Sequence, residues 1–244
     1  VRGVEITRSH LGDYNALFTT DNNKLYDPDL EQTIRNARAQ GAFIIHNHPS
    51  YDKNTPNHIT PFTNDLYAKG LIDGVEVANH VRIWQHLITH CIAGGYTPCG
   101  NSDAHEYVSW KYGHPRDFEI PRYRNMTLIL AKDKSLPALK EALKARRTLA
   151  YSFGTIAGER QLLEDFFKAS VRCVPVQTTS GGDRTVMVVN ESSLPYYLNY
   201  NGDPMKLNPF GALSVTVKKG ASLKMTVENM WHGSTDRLEV EYHF

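Results

Sequence analysis

Cysteine is scarce in this 244-residue chain, with Cys91, Cys99 and Cys173 scattered along it. That spacing excludes a disulfide framework and a cysteine-based zinc cluster, so the three thiols are read as buried or idle. No stretch approaches the ~18 to 20 consecutive apolar residues needed to cross a bilayer. Neither sign of charge is in excess: 27 Lys and Arg stand against 26 Asp and Glu, a net charge of +1. A basic stripe for nucleic acid is therefore missing, as is an acidic tail. Repeats and low-complexity tracts are missing too. The remaining composition, 41% hydrophobic and 22% charged, is that of an ordinary globular protein. The chain opens on Val1 rather than Met and shows no leader peptide, so its compartment is left unassigned.

Histidine, by contrast, is concentrated. Nine of the eleven lie in the first 114 residues, where even spreading would put about five: His10, His46, His48, His58, His80, His86, His90, His105 and His114. Imidazole is the commonest metal ligand and titrates near neutrality. Spacing has to decide what the excess means.

Residues 1–168 read as alternating strand and helix. Strands are expected at Val1 to Thr7, Tyr14 to Thr19, Ala42 to Ile45, Gly74 to Ala78, Met126 to Ala131 and Leu149 to Tyr151. Helices are expected after Asp27-Pro28, with Asp27 as the cap, after Thr60-Pro61, from Val81 to Ile92, and from the Ser135 cap through Arg147. Alternation with short connections predicts an α/β fold of parallel strands, whose functional groups gather at the strands' carboxyl ends. Residues 169–244 change grammar. Short alternating segments separated by Gly181-Gly182, Asn201-Gly202 and Lys219-Gly220 predict a small antiparallel β-sandwich of about 75 residues. Trp231 and His232 there are read as edge or core residues.

Three strand exits carry chemistry. Glu5 lies near the end of the first strand. His46-Asn47-His48-Pro49 directly follows a uniformly apolar strand, and a spacing of two puts both imidazoles on one side. Asp103-Ala104-His105 places a carboxylate and an imidazole at the same spacing. Such a mixed nitrogen and oxygen set suits Zn²⁺, Mn²⁺ or Fe²⁺.

These residues resemble a known family. Gly3-Val4-Glu5-Ile6-Thr7-Arg8, Gly12-Asp13-Tyr14-Asn15-Ala16-Leu17, Asn47-His48-Pro49, Gly74-Val75-Glu76-Val77 and Gly100-Asn101-Ser102-Asp103-Ala104-His105 look like the PHP (polymerase and histidinol phosphatase) domain. The phosphodiesterase-like branch with a C-terminal β domain is the nearest likeness, and Ala142 to Ala150 resembles the family's closing helix and strand. The resemblance covers roughly residues 1 to 168.

It implies a distorted seven-stranded β/α barrel holding two or three divalent ions, and hydrolysis of phosphate mono- or diesters by a metal-bound hydroxide. Carried over by position, Glu5, His48, Asp103 and His105 become metal ligands. Asp13 stands where many relatives have histidine, and His10 is an alternative donor. His105 or His46 would protonate the leaving group, with His46 otherwise a ligand, and Arg8 would hold a phosphate oxygen. The family's opening His-x-His and a further histidine are absent, so the barrel is expected to be partial, lacking about two βα units. An open barrel would then be covered by missing chain, by another copy or by a partner. Two rival readings are kept: a non-catalytic PHP module serving as scaffold, and a metal-dependent amidohydrolase.

Overall fold

The computed structural model describes residues 1–8, 10–50, 59–80, 82–106 and 124–244. His58 and His114, two of the clustered histidines, lie outside them, as does Val81. The mixed α/β class holds: several sheets and five α-helices are present among the described residues.

The first two strands, β1 (Gly3–Arg8) and β2 (Gly12–Leu17), are antiparallel, with Ile6 opposite Tyr14 and Glu5 opposite Asn15. Three intervening residues are too few for a crossover, so the parallel array expected from the sequence cannot start here. β2 also pairs antiparallel with β3 (Phe43–His46). Parallel pairing begins at β3 and continues through β4 (Gly74–Asn79) and β6 (Thr97–Asn101), while β5 (Arg82–Ile83) forms a short antiparallel flap on β4. All residues of β3 and β4 are buried, the signature of strands covered on both faces.

Helices fill the connections. α1 (Leu30–Ala39) buries Leu30, Ile34 and Ala37 as its periodicity predicts. Its cap is Asp29 rather than Asp27, because the Asp29 carboxylate accepts the Glu31 N–H at 3.0 Å while Asp27 accepts from Asp29 itself. α2 (Pro61–Ala68) starts where Thr60-Pro61 predicts, with Thr60 accepting the Thr63 N–H. α3 (Gln85–Ala93) is shorter than its apolar spacing suggests, since Arg82-Ile83 is diverted into β5 and Trp84 becomes the cap. α4 (Leu136–Lys144) is capped by Ser135 as expected and leads from β7 (Met126–Ile129) to β8 (Thr148–Ser152). β9 (Thr155–Ala157) and the amphipathic α5 (Arg160–Ser170) follow.

The last third forms two antiparallel layers. β10 (Val171–Thr178), β11 (Arg184–Asn190) and β14 (Ala212–Val217) make one sheet. β12 (Tyr196–Tyr200), β13 (Asp203–Leu207), β15 (Leu223–Trp231) and β16 (Arg237–Tyr242) belong to the other. Val186, Val215, Leu198, Val227 and Val240 from both layers share a core with Phe167 of α5. The hairpin turn between β12 and β13 has positive φ at Asn201 and Gly202, 53° and 90°, as the Asn-Gly pair predicts. The second layer does not stop at the C-terminal third. β9 pairs in parallel with β15, so one seven-stranded sheet includes β7, β8 and β9 as well.

The carboxyl ends of β3, β4 and β6 meet on one edge, and the side of β6 is closed by β7 and β8. Thr148 Oγ1 donates to Pro98 O at 2.8 Å, and Thr127 Oγ1 bonds both Gly100 N and Gly100 O at 3.0 Å. A Cβ at Gly100 would lie 2.9 Å from Met126 O, so this close approach requires glycine. Among the described residues no helix is long and apolar enough to cross a membrane.

Candidate metal centre

The β1–β2 hairpin and the exit of β3 bring three donors together. Glu5 projects from β1, Asp13 is the second residue of β2, and His48 follows β3 by two residues. One ligand atom from each lies within 4.8 Å of the others, and His48 Nε2 is 3.8 Å from Asp13 Oδ2. Pairing of Tyr14 with His46 sets this register, because it carries Asn47 alongside Asp13. Asn47 donates its N–H to Asp13 O at 2.9 Å and its Nδ2 to Glu5 Oε1 at 2.8 Å. Among the described residues this is the group of three such donors.

Two carboxylates and an imidazole suit a divalent cation of borderline softness. Glu5 is exposed and the other two half-buried, so an ion can enter from solvent. Asn47 Oδ1, buried beside Glu5, has no hydrogen-bond partner among the described residues. It is an acceptor that a bound ion or its water would satisfy. The residues present therefore fit a metal.

His48 departs from strand geometry, with φ at 26°. The pleat ends at His46, so the two imidazoles do not share a side as their spacing predicts. His46 is 2% exposed, stacks on Tyr14 with ring centroids 5.0 Å apart, and shares a hydrogen bond of 2.9 Å between Nδ1 and the Tyr67 hydroxyl. The His48 N–H instead donates to Glu76 Oε2 at 2.6 Å. Glu76 lies in the middle of β4 and is 1% exposed. Asn79 Nδ2 reaches the same oxygen at 2.9 Å, and Asn101 Nδ2 reaches Oε1 at 2.6 Å. Burial raises the Glu76 carboxyl to about 7, against the opposing pull of these donors and of His48.

The other residues singled out by sequence are not members of this three-donor group. Asp103 and His105 bond each other, Oδ1 to Nε2 at 3.1 Å, and His105 is largely exposed. Asp103 also has positive φ, 48°. His10 is exposed and is not one of the three clustered donors. Arg8 Nη2 donates to Asp27 O at 3.0 Å, and its guanidinium lies 5.2 Å over the Tyr26 ring. Sequence reasoning did not select Glu76, Asn47 or Asn101. The signal for Glu76 was present, as a lone carboxylate in the apolar run Gly74-Val75-Glu76-Val77-Ala78. A further pair stands nearby: Ser50 Oγ is 2.8 Å from His86 Nε2, and burial lowers the His86 pKa.

No family model and no curated protein matches the sequence. A solved structure does. It is a two-domain protein containing a predicted PHP-like metal-dependent phosphoesterase from Bacteroides vulgatus ATCC 8482. The likeness has a TM-score of 0.89 and 30% sequence identity, and covers 99% of this chain and 74% of that one.

Proposed function

This chain belongs to the PHP (polymerase and histidinol phosphatase) family, and on that premise we propose that it is a metal-dependent phosphoesterase whose ion is held by Glu5, Asp13 and His48. The observation that carries this reading is the convergence of those three donors within 4.8 Å, two from the β1–β2 hairpin and one from the exit of β3. When bound by these residues, a divalent ion would supply Lewis acidity, lowering the pKa of a water toward neutrality and offsetting negative charge on a phosphoryl group. Glu5 and Asp13 would hold the ion by carboxylate oxygens and His48 by an imidazole nitrogen, and Asn47 fixes the direction of the Glu5 side chain by its 2.8 Å bond. Asp103 orients His105 through their 3.1 Å contact, and the exposed imidazole is the group that protonates the leaving oxygen. His46, enclosed by Tyr14 and Tyr67, supports the β3 exit rather than meeting substrate. Arg8, anchored on Asp27 O, leaves guanidinium N–H groups for a phosphate oxygen. The parallel succession β3, β4, β6 is read as part of the seven-stranded barrel typical of the family, and a small phosphate mono- or diester is the proposed substrate.

Assays with p-nitrophenyl phosphate and bis(p-nitrophenyl) phosphate, with Mn²⁺ or Zn²⁺ added, test the proposal. Metal-dependent hydrolysis is expected, with His48→Ala lowering bound metal and turnover together by about 100-fold. Bound metal without turnover of either ester would favour a non-catalytic module. Cleavage of an anilide alone would favour an amidohydrolase. Unchanged metal content in His48→Ala would place the ion elsewhere.

A further inference from the structure

The strands that converge on the site share one buried carboxylate. Every residue of β4 is buried, and Glu76 is the only one of the six with an ionisable side chain. Its oxygens receive three donors from three different strand exits: His48 N–H after β3, Asn79 Nδ2 at the end of β4, and Asn101 Nδ2 at the end of β6. It is not a member of the three-donor group. A carboxylate kept in a dry strand without joining the ligands needs another reason to be there, because burial penalises it. The backbone beside it supplies one. His48 sits at φ 26°, a conformation that an L residue holds only when its surroundings fix it.

We propose that Glu76 is a positioning residue: it holds the His48 backbone in its left-handed turn and thereby delivers the imidazole to Asp13 and Glu5. Resting on the metal centre proposed above, this assigns Glu76 the reach of its oxygens, not its charge, as the functional property. The 2.6 Å bond to the His48 N–H is the active link, and Asn79 and Asn101 lock the carboxylate from its other sides.

Two substitutions separate reach from charge. In Glu76→Gln an acceptor remains at the Oε2 position. The new amide N–H₂ takes the Oε1 position, and the Asn101 amide can turn over to present its oxygen. In Glu76→Asp the charge remains but the head withdraws by one carbon–carbon step, roughly 1.5 Å. Mn²⁺ is titrated calorimetrically into the full chain for wild type, both variants and His48→Ala. Glu76→Gln is expected to bind within about threefold of wild type, and Glu76→Asp about 10- to 100-fold more weakly, the range typical for residues that orient ligands. Saturating Mn²⁺ should then restore turnover by Glu76→Asp, as it would not for a residue acting on substrate. Wild-type affinity in Glu76→Asp would overturn the assignment, and so would a Glu76→Gln that binds as weakly as His48→Ala. Wild type that binds no Mn²⁺, or His48→Ala that binds it normally, would refute the metal centre itself and the inference with it. Should Glu76→Asp not fold, hydrogen exchange decides. The His48 amide should be protected in wild type and in Glu76→Gln, and rapid exchange in wild type would sink the proposal.

Discussion

Replacing Glu76 by Gln in metal-free protein should change how stability depends on pH. Unfolded, this carboxyl titrates near 4.5, and folded it is raised to about 7, chiefly by burial. Between those values the folded chain holds a proton that the unfolded chain has released. The associated stability is complete below pH 4.5 and is lost as pH rises through about 7. At 1.36 kcal/mol for each pH unit, the interval amounts to about 3 kcal/mol. Glutamine does not titrate. The stability of Glu76→Gln relative to wild type should therefore rise by about 3 kcal/mol between pH 4.5 and pH 8. Urea unfolding of both proteins at pH 4.5, 6 and 8, with a chelator present, measures this directly. Parallel pH profiles would refute the reasoning. A wild type that gains on the variant as pH rises would show that the three donors outweigh desolvation and hold the carboxylate ionised.

Other perturbations probe the frame around the site. Asn229 is buried; its Nδ2 donates to Gly154 O and Pro195 O, and its Oδ1 accepts the Tyr197 N–H. Asn229→Ala strands three backbone groups, and denaturant unfolding should show a loss of about 3 kcal/mol; a loss below 1 kcal/mol would mean that water replaces the amide. Gly100→Ala sets a Cβ against Met126 O and Tyr151 O, both backbone atoms that cannot swing aside. It should cost about 1 to 3 kcal/mol and lower turnover with it, whereas an unchanged melting temperature would show that β6 can shift away from β7 and β8.

Sequence legibility followed local chemistry. Thr60-Pro61, Ser135 and Asn201-Gly202 each act through bonds within a few residues, and each was readable. The uniformly apolar run before His46 marked a buried strand. A strand before Asp103 is implied by reading it as a strand exit, but the bounds of β6 are not legible, since Pro98 and Gly100 look like loop residues; its place depends on β4 on one side and on Thr127 and Thr148 on the other. The β1–β2 hairpin was missed as an antiparallel pair because alternation of strand and helix does not reveal pairing direction. At the site, Glu5, Asp13 and His48 were all named from sequence and are brought together. Spacing and the family resemblance group Asp103 and His105 with them; neither is in the three-donor group, and where a strand exit points depends on its backbone turn, with positive φ at both His48 and Asp103. Glu76 and Asn101 acquire their meaning only when β3, β4 and β6 end side by side.

The parallel pairing of β9 with β15 has a consequence for synthesis on the ribosome. Ile156 must wait for Met230, and Ala157 for Trp231. Until β15 emerges, the nascent chain presents β9 as an open edge beside β8, the kind of surface that chaperones shield and proteases test. Threonines on β7 and β8 in turn support β6. A chain released early therefore leaves this support on an unfinished sheet, and protease resistance of the N-terminal segment should appear only once β15 has been made.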